Sequence, residues 1–305
     1  MSAGYDYGNA RVAGLRSRLL DAACLRRLGQ ASGPGDFRAL LGQEPDWRSL
    51  ESSPGEAGRD ARSAAEELVE RWRSTRQRSL LRFYEPPIRR LVEALVMPLD
   101  EERVIAILRR RRAGTRDAEG AILAPGALLD RAALERLARL PSDATLLRAL
   151  GETGLLAPEA AAALAALAGE ASSAGEPEAR TAALEAGLRE AVERARARRA
   201  GGRGPDAAFV RALLAREAAD RAAVAAELAA SGPTPATLLD RALLLARWSE
   251  LEHRAHRDPL GIGPVAAYVA AVELTVVRLR AILARVAGAW RDADAAPYLA
   301  ASPGR

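Results

Sequence analysis

Apolar residues recur along most of this chain every three or four positions, which is the spacing of one face of an α-helix. The longest such series follows Pro264, a residue type suited to the first turn of a helix. It consists of Val265, Tyr268, Val272, Val276, Leu279, Leu283, Val286 and Trp290. No segment alternates apolar and polar residues over the length of a β-strand. The pattern therefore predicts an all-α fold.

Stretches rich in glycine or proline predict where individual helices end. We expect a first helix from Asn9 to Leu28, and then a short helix with Asp36 as its N-cap. A long helix should run from about Asp60 to Phe83 and end before Pro86-Pro87. We expect another, separate helix after Pro98, because proline lacks the N–H group that a helix interior needs.

Short segments repeat along the chain, which is typical of proteins built from related helical units. Leu19-Leu20-Asp21 opens the segment LLDAACLRRL, and Leu128-Leu129-Asp130 opens the similar segment LLDRAALERL. A third Leu-Leu-Asp lies at residues 238–240. We therefore predict two to three related helical-bundle units. They span residues 1–115, 116–230 and 231–305, the last with the long C-terminal helix.

The composition removes several kinds of enzyme from consideration. The 305 residues include 45 basic long side chains, all of them arginine, and 40 acidic ones, for a net charge of +5. Without lysine the chain has neither a P-loop of the usual type nor a Schiff base. Acids and arginines are interleaved over most of the chain, which is typical of solvated helix faces.

Few groups remain that could carry chemistry. A single cysteine, Cys24, allows no internal disulfide and no thiolate zinc site, and we interpret it as a small core residue. His253 and His256 lie three positions apart and would need carboxylate partners to hold a metal, so we interpret them as surface residues. We therefore predict no catalytic, cofactor-binding or metal-binding residues.

Two arginine runs are candidate contacts with a partner. They consist of Arg109, Arg110, Arg111 and Arg112, and of Arg194, Arg196, Arg198 and Arg199. Cations at the C-terminal end of a helix also stabilise the helix dipole, so a purely structural role stays open. As contacts, the runs fit an acidic protein surface or anionic lipid headgroups. They fit nucleic acid less well, because no aromatic residues lie nearby to stack on bases.

Five segments carry a resemblance to a known family. They are YDYGNARVAGLRSRLL near the start, the early helix LLDAACLRRL, LDEERVIAILRRRRAG, LAPGALLD, and PLGIGPVAAYVAAVELTVVRLRAIL near the end. The matching positions are Tyr7, Asn9, Ala10, Arg11, Asp100, Arg109, Tyr268, Glu273, Leu279 and Arg280. Arg103, Val272, Thr275 and Arg278 stand where the family usually has Asn, Lys, Glu and Asn. Together, and in this order, the segments resemble the C subunit of V/A-type rotary ATPases, whose eukaryotic counterpart is the d subunit.

The resemblance implies a funnel-shaped socket of helical units on the cytoplasmic face of the membrane, as a peripheral part of a membrane complex. Such a protein would join the central-stalk subunits to the proteolipid ring, keep ion transport coupled to ATP turnover, and catalyse no reaction itself. Its membrane contact would pass through the ring, and no cofactor or nucleic acid is expected. The alternative is a free-standing, arginine-rich helical protein that regulates another protein or binds nucleic acid.

Overall fold

A computed structural model gives the fold of residues 4–51, 60–113, 124–170 and 177–299. These residues form α-helices and no strand, which confirms the all-α prediction. In chain order the helices are α1 Asp6–Arg16, α2 Ala22–Gly29, α3 Pro34–Gly42, α4 Pro45–Glu51, α5 Ala61–Leu80, α6 Ile88–Arg112, α7 Arg131–Arg139, α8 Asp143–Glu152, α9 Pro158–Glu170, α10 Pro177–Arg199, α11 Pro205–Ser231, α12 Pro233–Arg257, α13 Gly263–Val286 and α14 Asp292–Leu299.

The chain divides into two compact units. Unit 1 combines the two ends of the chain, residues 1–84 and 216–305, and unit 2 consists of residues 85–215. The second division therefore falls within α11. The division into units 1–115, 116–230 and 231–305 stays a prediction, and its first boundary lies outside the described residues.

Unit 2 has an apolar core to which all of its helices from α6 to α10 contribute. Its buried members include Val104, Ile107, Leu108, Leu134, Leu147, Leu164, Leu188 and Val192. Within this unit α6 packs along α10. The C-terminal end of α6, which carries the first arginine run, therefore lies among helices of its own unit.

The core of unit 1 is organised around α13, which packs against α5, α12 and α14. The predicted apolar stripe is buried from Val265 to Leu283, on a helix that is covered on more than one side. Trp290, the last residue of the predicted stripe, lies beyond the helix. The helix ends at Val286, and Gly288 follows with a φ of 70°, a left-handed conformation that glycine adopts readily.

The first two Leu-Leu-Asp segments have the same local structure. Asp21 caps α2 by accepting the N–H of Cys24 at 2.7 Å, and Asp130 caps α7 by accepting the N–H of Ala133 at 2.7 Å. Each cap satisfies an N–H group that the first helical turn leaves without a partner. The third segment differs, because Asp240 lies in the interior of α12.

Three predicted helix boundaries are wrong. The expected first helix is two helices, because Asp21 has an extended backbone (φ −81°, ψ 174°) and starts a new one. Helix α3 begins at Pro34, so Asp36 lies in its first turn, where its carboxylate accepts the N–H of Ser32. Pro98 does not separate two helices but lies inside α6.

Candidate partner-binding arginines

The first arginine run ends α6 and is bound to other helices of unit 2. Arg109 donates from Nε and from a terminal nitrogen to the two carboxylate oxygens of Glu185 on α10, each at 2.6 Å. Two-point pairing of this kind is a strong geometry for a guanidinium and a carboxylate. The hydrogen bonds from Arg109 lower the pKa of Glu185. Arg109 is 60% exposed, whereas Glu185 is 7% exposed, so the arginine covers the carboxylate from the solvent side.

Arg111 and Arg112 share one carboxylate. Their Nε atoms donate to Asp143, in the first turn of α8, at 2.9 and 3.2 Å. Arg111 also donates to the carbonyl of Leu140 at 2.5 Å, and Arg112 to the hydroxyl of Thr181 at 2.5 Å. The end of α6 is therefore tied to the start of α8 and to α10.

Arg196, in the second run, lies in the interior of unit 2. Its side chain is 2% exposed, and its Nε donates to the carbonyl oxygen of Ala94 on α6 at 2.7 Å. Ala94 precedes Pro98 by one helical turn, and proline has no N–H group to offer that carbonyl. Arg196 therefore supplies the hydrogen bond that Pro98 removes, which explains how α6 continues through a proline.

The remaining arginines differ in how firmly they are held. Arg199 donates to the carbonyl of Gly154 at 2.7 Å. Arg194 and its neighbour Glu190 are both exposed and lie 3.7 Å apart. The side chain of Arg198 is exposed and makes no hydrogen bond or ion pair with the described residues. Arg194 and Arg198 are therefore the accessible members of their run, and whether any of these arginines contacts a partner stays a prediction.

A second two-point ion pair ties together two long helices of unit 1. Arg73 on α5 donates to the two carboxylate oxygens of Glu273 on α13 at 2.8 and 2.6 Å, and Gln77 donates to the same carboxylate at 2.5 Å. Arg73 is 3% exposed. Glu273 is one of the positions that carry the family resemblance. Nothing in the sequence around Arg73 and Gln77 indicates that their partner lies about 200 positions away.

The N-terminal Tyr-Gly-Asn-Ala-Arg stretch is anchored in unit 1 by its second and third residues. The side-chain nitrogen of Asn9 donates to the carbonyls of Pro259 and Gly261 at 2.8 and 3.0 Å, and its oxygen accepts from the Tyr84 hydroxyl at 2.7 Å. Gly8 lies so close to Tyr84 that a Cβ would be 2.1 Å from a ring carbon. Asn9 thus joins α1 to the loop before α13.

Asp100, another position of the resemblance, is fully enclosed in unit 2. Its carboxylate accepts the N–H groups of Leu128 at 3.0 Å and Leu129 at 2.8 Å, in the loop that precedes α7. A Cβ on Gly126 would lie 2.0 Å from Oδ1 of Asp100, so the loop can approach the carboxylate only with glycine at this position. Burial raises the pKa of Asp100 to about 6, and the N–H bonds and Arg103 oppose that rise only in part.

The other groups with potential chemistry are isolated from one another. Within the described residues no group of three or more His, Cys, Asp or Glu side chains could hold a metal ion. His253 and His256 are exposed. Cys24 is buried, and this burial, together with Glu44, raises the pKa of its thiol to about 12, so the thiol stays protonated at neutral pH. In the same part of the chain no helix is both long and apolar enough to cross a membrane.

The fold and these contacts define an all-α protein with related helical segments, in which a two-point arginine–glutamate pair joins long helices of each unit. The sequence profile of the ATP synthase (C/AC39) subunit family matches residues 8–224, and the chain belongs to this family. This family includes the C subunit of V/A-type rotary ATPases and the eukaryotic d subunit, which confirms the resemblance in the sequence. No curated protein matches the chain with significant similarity.

Proposed function

We propose that this protein is a non-catalytic adaptor in the rotor of a V/A-type ATPase or ATP synthase. It links the central stalk to the proteolipid ring and transmits torque between them, so that ion transport stays coupled to ATP turnover. It is peripheral, at the cytoplasmic face, and its contact with the membrane passes through the ring. Membership of the ATP synthase (C/AC39) subunit family is the observation that carries this proposal.

The internal ion pairs support a role in which each unit must resist deformation. Arg109 and Glu185 tie α6 to α10 in unit 2, and Arg73 and Glu273 tie α5 to α13 in unit 1. A two-point pair fixes the relative orientation of the two side chains as well as their distance. Helices joined in this way keep their packing within each unit under a lateral force, which is what transmission of torque requires.

Arg194 and Arg198 are the arginines that we propose as contacts with an acidic surface of the stalk or ring. Both are exposed, and Arg198 has no side-chain partner among the described residues. Most other members of the two runs are bound to carboxylates or carbonyls of unit 2. Their substitution would disturb the unit itself and could not isolate a contact with a partner.

Co-purification from detergent-solubilised membranes tests the adaptor role. The tagged full chain should carry the central-stalk subunits and the proteolipid ring with it. Absence of both partners, under conditions in which the rest of the ATPase stays assembled, would rule out the proposal. Salt-dependent binding to nucleic acid, without rotor subunits, is the result expected for a free-standing nucleic-acid-binding protein.

The contact itself is tested by the double variant Arg194→Gln, Arg198→Gln. Exposed ionic contacts are screened by salt, so this variant should release its partners at a lower salt concentration than the wild type. The matched control is Arg139→Gln, Arg148→Gln, which removes two other exposed arginines of unit 2. Equal salt tolerance of the two double variants would place the contact elsewhere.

A further inference from the structure

Helix α1 has an inner face that the packing of unit 1 explains and an outer face that it does not. On the inner face, Gly8 lies against the ring of Tyr84, and Asn9 bonds the loop before α13. Tyr7 and Arg11 lie one turn apart on the outer face, and both are exposed. Tyr7 is 62% exposed, the highest value among the large apolar side chains that the structure describes. Contacts within unit 1 therefore give no reason for an aromatic ring at this position.

Tyr7 and Arg11 hold each other in a fixed arrangement. The Nε of Arg11 donates to the Tyr7 hydroxyl at 3.0 Å, and the guanidinium carbon lies 5.1 Å from the centre of the tyrosine ring. In the pairs of Arg109 and Arg73, Nε and a terminal nitrogen bind a carboxylate of the same unit. In Arg11 the Nε is used by Tyr7, and no described residue binds the two terminal nitrogens. These nitrogens form a fork that can bind a carboxylate at two points.

The outer side of α1 carries a surplus of positive charge towards its C-terminal end. Arg18 follows Arg11 in the turn after the helix, and its side chain is 66% exposed and 3.8 Å from Asp46. The exposed acid of α1 is Asp6, in the first turn, where a carboxylate stabilises the helix dipole. An acidic surface complements this distribution of charge.

Small residues beside the Tyr7–Arg11 pair leave room for another backbone. Ala10 and Gly14, also exposed, follow Tyr7 and Arg11 by three positions each and so lie next to them on the helix. The φ of Gly14 is not left-handed, and a Cβ there would meet no atom within 4 Å. Glycine lowers the stability of a helix, and neither its backbone nor its surroundings require it at this position.

We propose that the α1 face, formed by Tyr7, Ala10, Arg11 and Gly14, docks an acidic helix of another rotor subunit. A carboxylate of that helix binds the two terminal nitrogens of Arg11, and an apolar side chain packs on the ring of Tyr7. Tyrosine and arginine are the residue types that often contribute most to protein–protein binding, and an arginine that is already held in place loses less entropy when it binds. This docking belongs to unit 1 and rests on the adaptor role.

A protein helix fits the α1 face better than a phosphate surface does. Polyanions such as nucleic acids are bound by several cations that contact neighbouring phosphates. The α1 face presents one guanidinium fork, a tyrosine ring and two small residues, with Asp6 next to Tyr7 in the chain. This combination favours one carboxylate together with apolar contact.

Two substitutions test the face through different physical effects, in co-purification of the tagged full chain with rotor subunits over a range of salt concentrations. Arg11→Gln removes the ionic contact and should weaken the association roughly ten-fold or more. Gly14→Leu leaves the charge unchanged but fills the space beside Arg11, so it should weaken the association at high and low salt alike. The matched controls are Arg26→Gln and Ala23→Leu, at exposed positions of α2, and each should change the association less than about two-fold.

A further variant separates the tyrosine ring from its hydroxyl group. Tyr7→Phe keeps the ring but releases the Nε of Arg11, so it should weaken the association less than Arg11→Gln does. Because the hydroxyl acts through Arg11, adding Tyr7→Phe to Arg11→Gln should cause no further loss. A full additional loss in the double variant would overturn this role of the hydroxyl group.

Photochemical crosslinking identifies what the α1 face contacts. With p-benzoylphenylalanine in place of Ala10, irradiation of membranes that hold the assembled ATPase should link the chain to a helix of a rotor subunit that contains Asp or Glu. Reversing both charges, Arg11→Glu here and that acid to Arg in the partner, should restore the association that either change alone weakens. A product with lipid, with nucleic acid or with a second copy of this chain would overturn the proposal.

The co-purification results distinguish failure of the docking from failure of the adaptor role. Rotor subunits held as firmly by Arg11→Gln as by Arg26→Gln would refute docking at the α1 face and leave the adaptor role standing. A wild-type chain that carries no rotor subunits would refute both.

Discussion

The contact between Arg196 and the helix that contains Pro98 can be tested by a double-mutant cycle. Pro98 leaves the carbonyl of Ala94 without a helical donor, and Arg196 supplies the missing bond from α10 at 2.7 Å. If this is the reason for the contact, Arg196 should matter less once residue 98 can donate its own N–H. The cycle consists of the wild type, Arg196→Met, Pro98→Ala and the double variant.

The expected magnitude follows from the burial of the groups involved. Arg196→Met keeps most of the side-chain volume but leaves the Ala94 carbonyl buried without a donor, which costs about 1–3 kcal/mol. With Pro98→Ala the N–H of residue 98 can bond that carbonyl, so the same substitution should cost about 1–3 kcal/mol less. Packing changes and other bonds of Arg196 occur in both backgrounds and cancel in the cycle.

The distribution of tryptophan makes the assay specific. Trp47, Trp72, Trp248 and Trp290 all belong to unit 1, so their fluorescence follows the unfolding of unit 1. Far-ultraviolet circular dichroism follows the helices of both units. If the two units unfold separately in urea, the dichroism signal should show a transition of unit 2 that the fluorescence signal lacks. The coupling energy should appear in that transition, because Pro98 and Arg196 both belong to unit 2.

A control and a refuting result complete the cycle. Arg194→Met removes an exposed arginine of the same helix and should change stability by less than about 0.5 kcal/mol, equally in both backgrounds. A coupling energy between Pro98 and Arg196 below about 0.5 kcal/mol would mean that the arginine does not replace the bond that proline removes.

Three further predictions concern single contacts. Gly8→Ala should destabilise the protein by about 1–3 kcal/mol, because its Cβ would overlap the buried ring of Tyr84. Gly14→Ala, in the same helix, meets nothing within 4 Å and should stabilise the protein by up to about 1 kcal/mol. A thermal unfolding midpoint that shifts in the same direction for both variants would contradict this. Asp130→Ala removes a helix cap and should cost about 1 kcal/mol in urea unfolding, while Asp240→Ala, in the interior of α12, should cost about half as much or less. Equal losses would mean that the cap at Asp130 adds no more stability than a carboxylate inside a helix does. Arg109→Gln should lose most stability at neutral pH, because the pair lowers the pKa of its partner carboxyl and so stabilises the fold above the ordinary pKa of 4.5. Dichroism-monitored unfolding at several pH values should therefore show a difference from the wild type that shrinks as the pH falls below that value.

The features that the sequence predicts correctly depend on residues close to one another in the chain. Helical periodicity is a local pattern, and it identifies the all-α fold and the buried stripe of α13. The caps at Asp21 and Asp130 are local too, because each carboxylate bonds an N–H three positions ahead. The third Leu-Leu-Asp shows the limit of this reasoning. At residues 238–240 the same three residue types lie inside a helix, because the backbone of Asp240 is not extended.

The features that the sequence does not predict depend on partners far away in the chain. Pro98 alone predicts a break in the helix, and the residue that compensates for it lies about a hundred positions later. The arginine runs are visible as cations, but Glu185 and Asp143, which bind them, do not stand out in their own segments. Arg73 gives no signal at all until α5 and α13 are packed together. Two sequences with the same local patterns could therefore differ in which arginines are free to meet a partner.

The use of arginine for every long basic side chain has a structural consequence. The pairs of Arg109 with Glu185 and of Arg73 with Glu273 each use Nε and a terminal nitrogen at once, a planar two-point contact that an ammonium group does not form. Arg196 reaches the Ala94 carbonyl through Nε, an atom that lysine lacks. At these sites the fold uses the shape of the guanidinium as well as its charge. At exposed Arg198 the guanidinium is open to solvent. The same residue type thus holds the helices of each unit together and, at Arg194 and Arg198, lies exposed on the surface of unit 2.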